Sequence, residues 1–294
     1  MTPALRRPLR HGEIEREMRT LIRKRRLLAA MALALLVGIL YFPTLRWLAH
    51  EWWSNDYYTH GPLVLIIAGV LIWRRRRAFW YRAPDNRGLW GMGIGLAGHL
   101  IGSAWRAPYI SALSLPLLVA GLITFFLGMP ALRMLAFPLA FTWFAVPLPF
   151  VEQASVPLQT LTASASTALA QWWGIPAQVQ GAQITLPSCS LQVGAPCSGL
   201  RSIVALLTLD VLFVYLVDGP AWARWVLLAM AVPVALAANI VRIALLLVVA
   251  HLWGAEAGLR YFHDYSSPVL FVVAVLLLMG VSWAAQCRGI RSDI

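Results

Sequence analysis

The sequence predicts an all-α polytopic membrane protein of about eight transmembrane helices, with a small extracytoplasmic helix/hairpin insertion before the sixth. Three observations carry this reading. Of 294 residues, 60% are hydrophobic and only 12% charged, against about 45–50% and about 25% in soluble domains. The mean hydropathy is +0.71, and the apolar residues gather into runs approaching the roughly 20 residues of a bilayer-spanning helix. The basic residues are segregated along the chain, as they are where arginines in cytoplasmic loops orient a membrane protein. A cytosolic enzyme, a secreted disulfide scaffold and a disordered tail are excluded. The net charge of +12 therefore reads as topology rather than as a nucleic-acid surface. Cys189, Cys197 and Cys287 are too few for a disulfide framework, although one bridge between the first two stays open.

The elements follow in order. Residues 1–26 carry nine basic and three acidic side chains and form an expected cytoplasmic segment. The apolar run after them has no small-residue cleavage site, so it reads as an uncleaved first helix, Leu27–Trp47. The second helix, Pro62–Trp73, begins near Tyr57 and is stopped by Arg74–Arg77. The third, Leu89–Ala104, has Gly91, Gly93, Gly95 and Gly98, which suits close packing in lipid. The fourth covers Ser111–Leu127 and the fifth Leu132–Val146, with Pro138 inside. Within the insertion 147–196, Glu152–Trp173 mixes polar and apolar residues like a helix lying at the interface. Ala177–Val193 alternates like a small hairpin, with Gly181 and Pro187 supplying turns. The sixth, seventh and eighth helices are Ser198–Val217, Ala221–Ala250 and Ser266–Ala285, and 287–294 forms a cytoplasmic tail. The membrane domain as a whole spans 27–286.

Charge orients this arrangement. With the N-terminus inside, 19 of the 24 basic residues are cytoplasmic, leaving Arg46, Arg106, Arg201, Arg242 and Arg260 outside. The split favours N-in, C-in, and residues 147–196, Cys197 and His263 then face outward. The Trp and Tyr residues at 47, 52, 53, 57 and 58 fit an outer interfacial belt.

Three polar positions sit at the outer ends of late helices. Cys197 lies in Pro196-Cys197-Ser198-Gly199-Leu200-Arg201. A thiol at a helix N-terminus with Arg201 one turn on is expected to have a lowered pKa. The amides that follow, with Gly199 admitting a substrate, suit an oxyanion site. A buried or Cys189-bonded cysteine is the other reading. Arg242 is about 30 Å along the seventh helix and shares a face with Asn239. It either meets a polar partner inside the bundle or snorkels to the boundary. His263, in Tyr261-Phe262-His263-Asp264, is a general base or acid, or else a loop or capping histidine. His60 caps the second helix or borders a site. Asp210 is an intramembrane acid in search of a polar neighbour, while His50, His99 and His251 read as interfacial. No spacing argues for a metal or a serine-hydrolase elbow, and no cofactor is expected.

On these residues the chain resembles the exosortase/archaeosortase family of membrane cysteine transpeptidases. The resemblance rests on Pro196–Arg201, Asn239-Ile240-Val241-Arg242 and His263. It extends through Gly174-Ile175-Pro176, the Gly181–Leu186 hairpin, and Thr59-His60-Gly61-Pro62-Leu63-Val64 with Trp73 and Arg74–Arg77, and it covers roughly residues 55–285. It implies a catalytic Cys197, Arg242 and His263, supported by Ser198, Gly199, Arg201, Asn239 and His60. His263, where archaeal relatives typically carry arginine, implies the bacterial branch and a location in the bacterial inner membrane. The implied substrates are exported proteins with a C-terminal tail of a Pro-Glu-Pro type motif, a membrane helix and a basic cluster. They would be cleaved through a thioester and passed to a lipid- or polysaccharide-linked acceptor or to water, with no nucleic acid involved. Two departures stand out: the soluble domain fused to some members is lacking, and Cys189 leaves a redox lock on Cys197 open. Two other readings remain. One is a carrier or flippase for a lipid-linked or polysaccharide precursor that uses Arg242, and the other is an acyltransferase with His263 as base.

Overall fold

The computed structural model describes residues 28–80, 83–194, 197–254, 256–257, 263–285, 287 and 289–291. In the N-terminal unit, residues 1–47, the described residues form α1 (Leu28–Leu40) and the start of α2 (Phe42–Ser54). The remainder of the chain is a second unit. It holds α3 (Gly61–Arg74), α4 (Gly88–Ala104), α5 (Pro108–Leu127), α6 (Met129–Phe141), the short α7 (Pro149–Gln153) and α8 (Ser155–Trp172). A three-stranded antiparallel sheet follows, β1 (Gln178–Gln180), β2 (Gln183–Thr185) and β3 (Ser190–Gln192), and then α9 (Leu200–Leu216), α10 (Ala221–Trp253) and α11 (His263–Ala284). Two-residue strands β4 (Val217–Asp218) and β5 (Gly289–Ile290) pair with each other.

Among the described residues, α5 and α10 are each long and apolar enough to cross a membrane alone. The pair α1 and α2, and the run from α6 through α8, pass only together, each broken by a bend. The second of these bends by 50°. The helix α3 and the Pro268–Ala284 part of α11 are apolar but shorter. The 33 residues of α10 give it a length of about 50 Å, more than a hydrocarbon core of about 30 Å.

Glycine decides how α4 meets α5. A Cβ on Gly95 would sit 2.5 Å from the Leu118 amide nitrogen, and one on Gly102 would sit 2.5 Å from that of Ser111. Gly91 faces Gly121 in the same way, whereas a Cβ on Gly93 would meet nothing within 4 Å. The two backbones therefore touch along a glycine seam, the device that replaces hydrophobic driving force in lipid. His99 belongs to this seam and not to an interface: it is buried, with Nδ1 2.7 Å from Ser111 Oγ.

The insertion differs from expectation in two ways. First, α8 buries part of its polar content against protein. Thr162, Ser166 and Thr167 are buried with Ala163 and Ala170, while the outward face mixes Val156, Leu161 and Trp172 with Thr160, Ser164 and Gln171, so polar side chains lie on both faces. Second, the alternating stretch closes as three strands rather than a hairpin. Gly181, at φ +61, turns β1 into β2, and a tight Leu186–Cys189 turn leads into β3. Ile184, Leu186, Leu191 and Val193 then pack with Ile243, Leu246 and Leu247 of α10 in one core.

The connection from α2 to α3 clamps the start of the insertion. Trp52 Nε1 donates to Ala145 O at 2.7 Å, the Leu148 amide donates to Tyr58 Oη at 3.0 Å, and Tyr57 Oη donates to Ser155 Oγ at 3.1 Å. Three of the expected belt aromatics are thus tethers. Trp53, at 85% exposure, keeps the outward role.

Candidate active site

The helix α9 begins from a strained turn. Gly199 is its N-cap at φ +82, in the left-handed region that favours glycine. The Cys197 amide closes a turn on Gly194 O at 2.9 Å, and the Leu200 amide donates to Ser198 Oγ at 3.3 Å. The reason for the glycine is its neighbour: a Cβ there would lie 2.8 Å from Asn239 Nδ2 and 3.0 Å from Asn239 Cγ. Gly199 therefore admits the side chain of Asn239, where the sequence suggested a path for substrate.

Asn239 uses that access. Its Nδ2 donates to Cys197 O at 3.0 Å and reaches Thr162 Oγ1 at 3.5 Å. Thr162 Oγ1 in turn donates to Ser198 O at 3.3 Å. The turn carrying the thiol is thus strapped to α10 by an amide and to α8 by a hydroxyl. Thr162 was not singled out from sequence; its only signal was the polar content of Glu152–Trp173.

One turn further along α10, Arg242 is 6% exposed, and its guanidinium hydrogen-bonds the Cys197 thiol. Arg242 thus faces inward and meets a partner, which removes the snorkelling reading. Burial pushes the Cys197 thiol up, Arg242 pulls it back down, and the net direction is upward. This reverses the expected lowering, because desolvation of a half-buried thiolate outweighs one adjacent cation. Arg201 is not among the groups acting on the thiol. Its Nη2 instead donates to Thr59 Oγ1 at 3.4 Å on an exposed face.

His60 also lies on that other side of α9. Its ring hydrogen-bonds to the backbone of Phe144 and Tyr57, comes within 3.5 Å of Thr208 Oγ1 and stacks on Tyr58. It makes no side-chain cap for α3. Burial leaves its pKa below that of an ordinary histidine, against the raising pull of those two backbone hydrogen bonds, and the Arg201 charge adds the smallest push, downward. Asp210, 1% exposed, finds no hydrogen-bond partner for either oxygen among the described residues, so the expected polar neighbour is not seen there. Cys189 and Cys197 are free thiols on the same core. His263 is the first residue of α11, and its side chain lies outside the described residues. Among the described residues no three His, Cys, Asp or Glu side chains converge.

Beside the thiol–guanidinium pair lies a small cleft between α9, α10 and α11, with room for about one water. Ser202 and Leu206 line it from α9, and Leu270, Phe271 and Ala274 line it from α11. Ala235, Ala238, Asn239 and Arg242 line it from α10.

These features define a helical membrane protein with a cysteine–arginine pair beside a small cleft between three of its helices. The chain matches the family described as transmembrane exosortase (Exosortase_EpsH) over residues 52–280, and it belongs to that family. No curated protein and no solved structure matches the chain.

Proposed function

We propose that the protein is a membrane-embedded cysteine protease/transpeptidase. It cleaves C-terminal sorting tails of exported proteins at the outer face of a bacterial inner membrane and passes them to an acceptor. The observation that carries this is the hydrogen bond between the Cys197 thiol and the buried Arg242 guanidinium. A carrier that grips an anionic head group needs that guanidinium for its ligand, whereas a thiol chemist needs it beside sulfur.

The chemistry follows from the raised thiol. Cys197 rests protonated, so a base has to take the proton as sulfur attacks the scissile carbonyl. His263, at the start of α11, is assigned that role. The S–C bond forms, and Arg242 stabilises charge on sulfur or on the carbonyl oxygen. The C–N bond then breaks as the same proton passes to the leaving amine. An acceptor nucleophile or water next attacks the thioester, releasing the thiol and regenerating Cys197. Asn239, Thr162 and Gly199 hold the turn and are positioning residues.

The test is co-expression with a reporter bearing a Pro-Glu-Pro type tail, read by intact mass. Wild type should shorten or modify the reporter's C-terminus, and Cys197→Ala should leave it intact at equal expression. Normal processing by Cys197→Ala would overturn the proposal.

A further inference from the structure

We infer that the Arg74–Arg77 turn at the end of α3, together with Arg133 of α6, binds the phosphate head group of an anionic phospholipid. The site stands apart from the transpeptidase chemistry and does not depend on it. Charge that only orients a chain needs no fixed place, but these guanidiniums have one. Ala78 is fully buried against Ala131 and Leu135 of α6. That contact pins the 3₁₀ turn Arg76–Trp80 beside the end of α6 that carries Arg133. Arg76 lies 5.4 Å from the centre of the Trp73 ring, and Arg75 lies 5.9 Å from that of Tyr215. Tyr215, in the last turn of α9, stacks on Phe137 of α6 at 3.5 Å.

The charge is not met from within the chain. Among the described residues none of these arginines forms an ion pair. Asp85, the acid nearest to the turn in sequence, accepts from the Arg87 amide at 2.9 Å instead. Arg75 is half-buried, and its Nε is buried with no hydrogen-bond partner among the described residues. A cation so placed is costly without an anion close by.

Depth says which anion. The 14 residues of α3 measure about 21 Å against about 30 Å for a hydrocarbon core, so its last turn stops short of the far boundary. Arginine side chains there reach toward the head groups, and the bilayer thins to meet them. Trp73 is 69% exposed and Phe79 41%, so aromatic surface flanks the charge as it does at a lipid interface. A free phosphate would satisfy the guanidiniums and leave that surface uncovered. Clustered arginines beside a membrane helix attract anionic lipid, and the guanidinium fork matches phosphate oxygens. A head group held by Arg75 is tied through Tyr215 to α9 and through Phe137 to α6.

Two measurements test this. The full chain in a neutral detergent is titrated with phosphatidylglycerol, phosphatidylcholine and inorganic phosphate, and bound lipid is counted by native mass spectrometry. Phosphatidylglycerol should bind about tenfold or more tightly than phosphatidylcholine, and an equal concentration of inorganic phosphate should not displace it. Arg76→Gln with Arg77→Gln, both exposed and outside the Arg75 stack, should weaken binding by about tenfold or more. Arg46→Gln with Arg106→Gln makes the same change in net charge and should leave binding within about twofold. Equal loss in both pairs, or no preference over phosphatidylcholine, overturns the inference. Displacement by inorganic phosphate would make this a phosphate site and overturn the lipid assignment. The second measurement needs no variant. In nanodiscs of phosphatidylcholine, phosphatidylglycerol carrying a diazirine beside its glycerol should label peptides covering 73–79 and 129–133. A label spread over the other exposed helix faces, like that from the matching phosphatidylcholine probe, overturns the inference.

Discussion

At the residue scale, the site is decided by what surrounds one sulfur. Burial raises the Cys197 thiol and Arg242 is the largest influence lowering it. The rate of alkylation against pH should therefore have its midpoint above that of an ordinary thiol, and Arg242→Gln should move it higher still. A midpoint at or below about 8.5, the free-thiol value, would contradict the desolvated site. The same sign applies to folding: a thiol raised in the folded state contributes stability below its unfolded pKa and loses it as pH rises through the folded value. Gly199 offers a second test. Gly199→Ala forces a left-handed alanine against Asn239 and should lower processing by about 100-fold, the scale of an ångström-sized misplacement. Reporter turnover at matched expression measures it, and an unimpaired Gly199→Ala would remove the Asn239 strap from the argument. Cys197, Asn239 and Arg242 were legible in sequence because each stood as a polar break beside an apolar run. That Arg242 rather than Arg201 acts on the thiol was not legible. Arg201 is near in sequence but points to Thr59, and only the packing of α9 on α10 brings Arg242 to the sulfur.

At the element scale, the glycines of the third predicted helix were legible as a packing face, but not which of them mattered. The structure divides them. Gly95→Leu drives a side chain into the Leu118 backbone, whereas Gly93→Leu points into open space. Gly95→Leu should separate α4 from α5 and abolish a folded, monodisperse protein in detergent, while Gly93→Leu should leave the melting temperature within a few degrees, as surface substitutions do. Size-exclusion profiles and thermal unfolding distinguish them; equal tolerance would mean the seam is not there. The helix α8 was legible as a helix of mixed polarity, but not which of its polar residues are buried. A pattern of mixed polarity does not say which polar residues meet protein, and here Thr162, Ser166 and Thr167 do while Thr160, Ser164 and Gln171 stay exposed. The third strand was missed because three-residue strands carry little periodic signal, although both turns, at Gly181 and Pro187, were already visible.

At the scale of the whole molecule, the number of crossings and their direction rest on different physics. Span length was poorly legible: the fifth predicted helix joins the helices that follow it in one bent pair broken between Ala145 and Pro149, and α3 is only 14 residues. The β4–β5 clasp, two residues a side, gave no signal at all. Direction is read from charge: with eight spans, 19 of the 24 basic residues fall on one side of the predicted topology. The functional proposal depends on it, because the thiol has to face the compartment where exported tails arrive. Ser188, at the exposed turn before β3, and Arg76, exposed just after α3, should then lie on opposite sides. With the three native cysteines replaced by alanine, Ser188→Cys should react with a membrane-impermeant maleimide in spheroplasts, and Arg76→Cys only after lysis. The reverse pattern would place the cysteine–arginine pair on the cytoplasmic side, where a sorting enzyme for exported proteins has no substrate. Labelling of both positions in intact spheroplasts would mean that the run from α3 to the sheet crosses the membrane an even number of times.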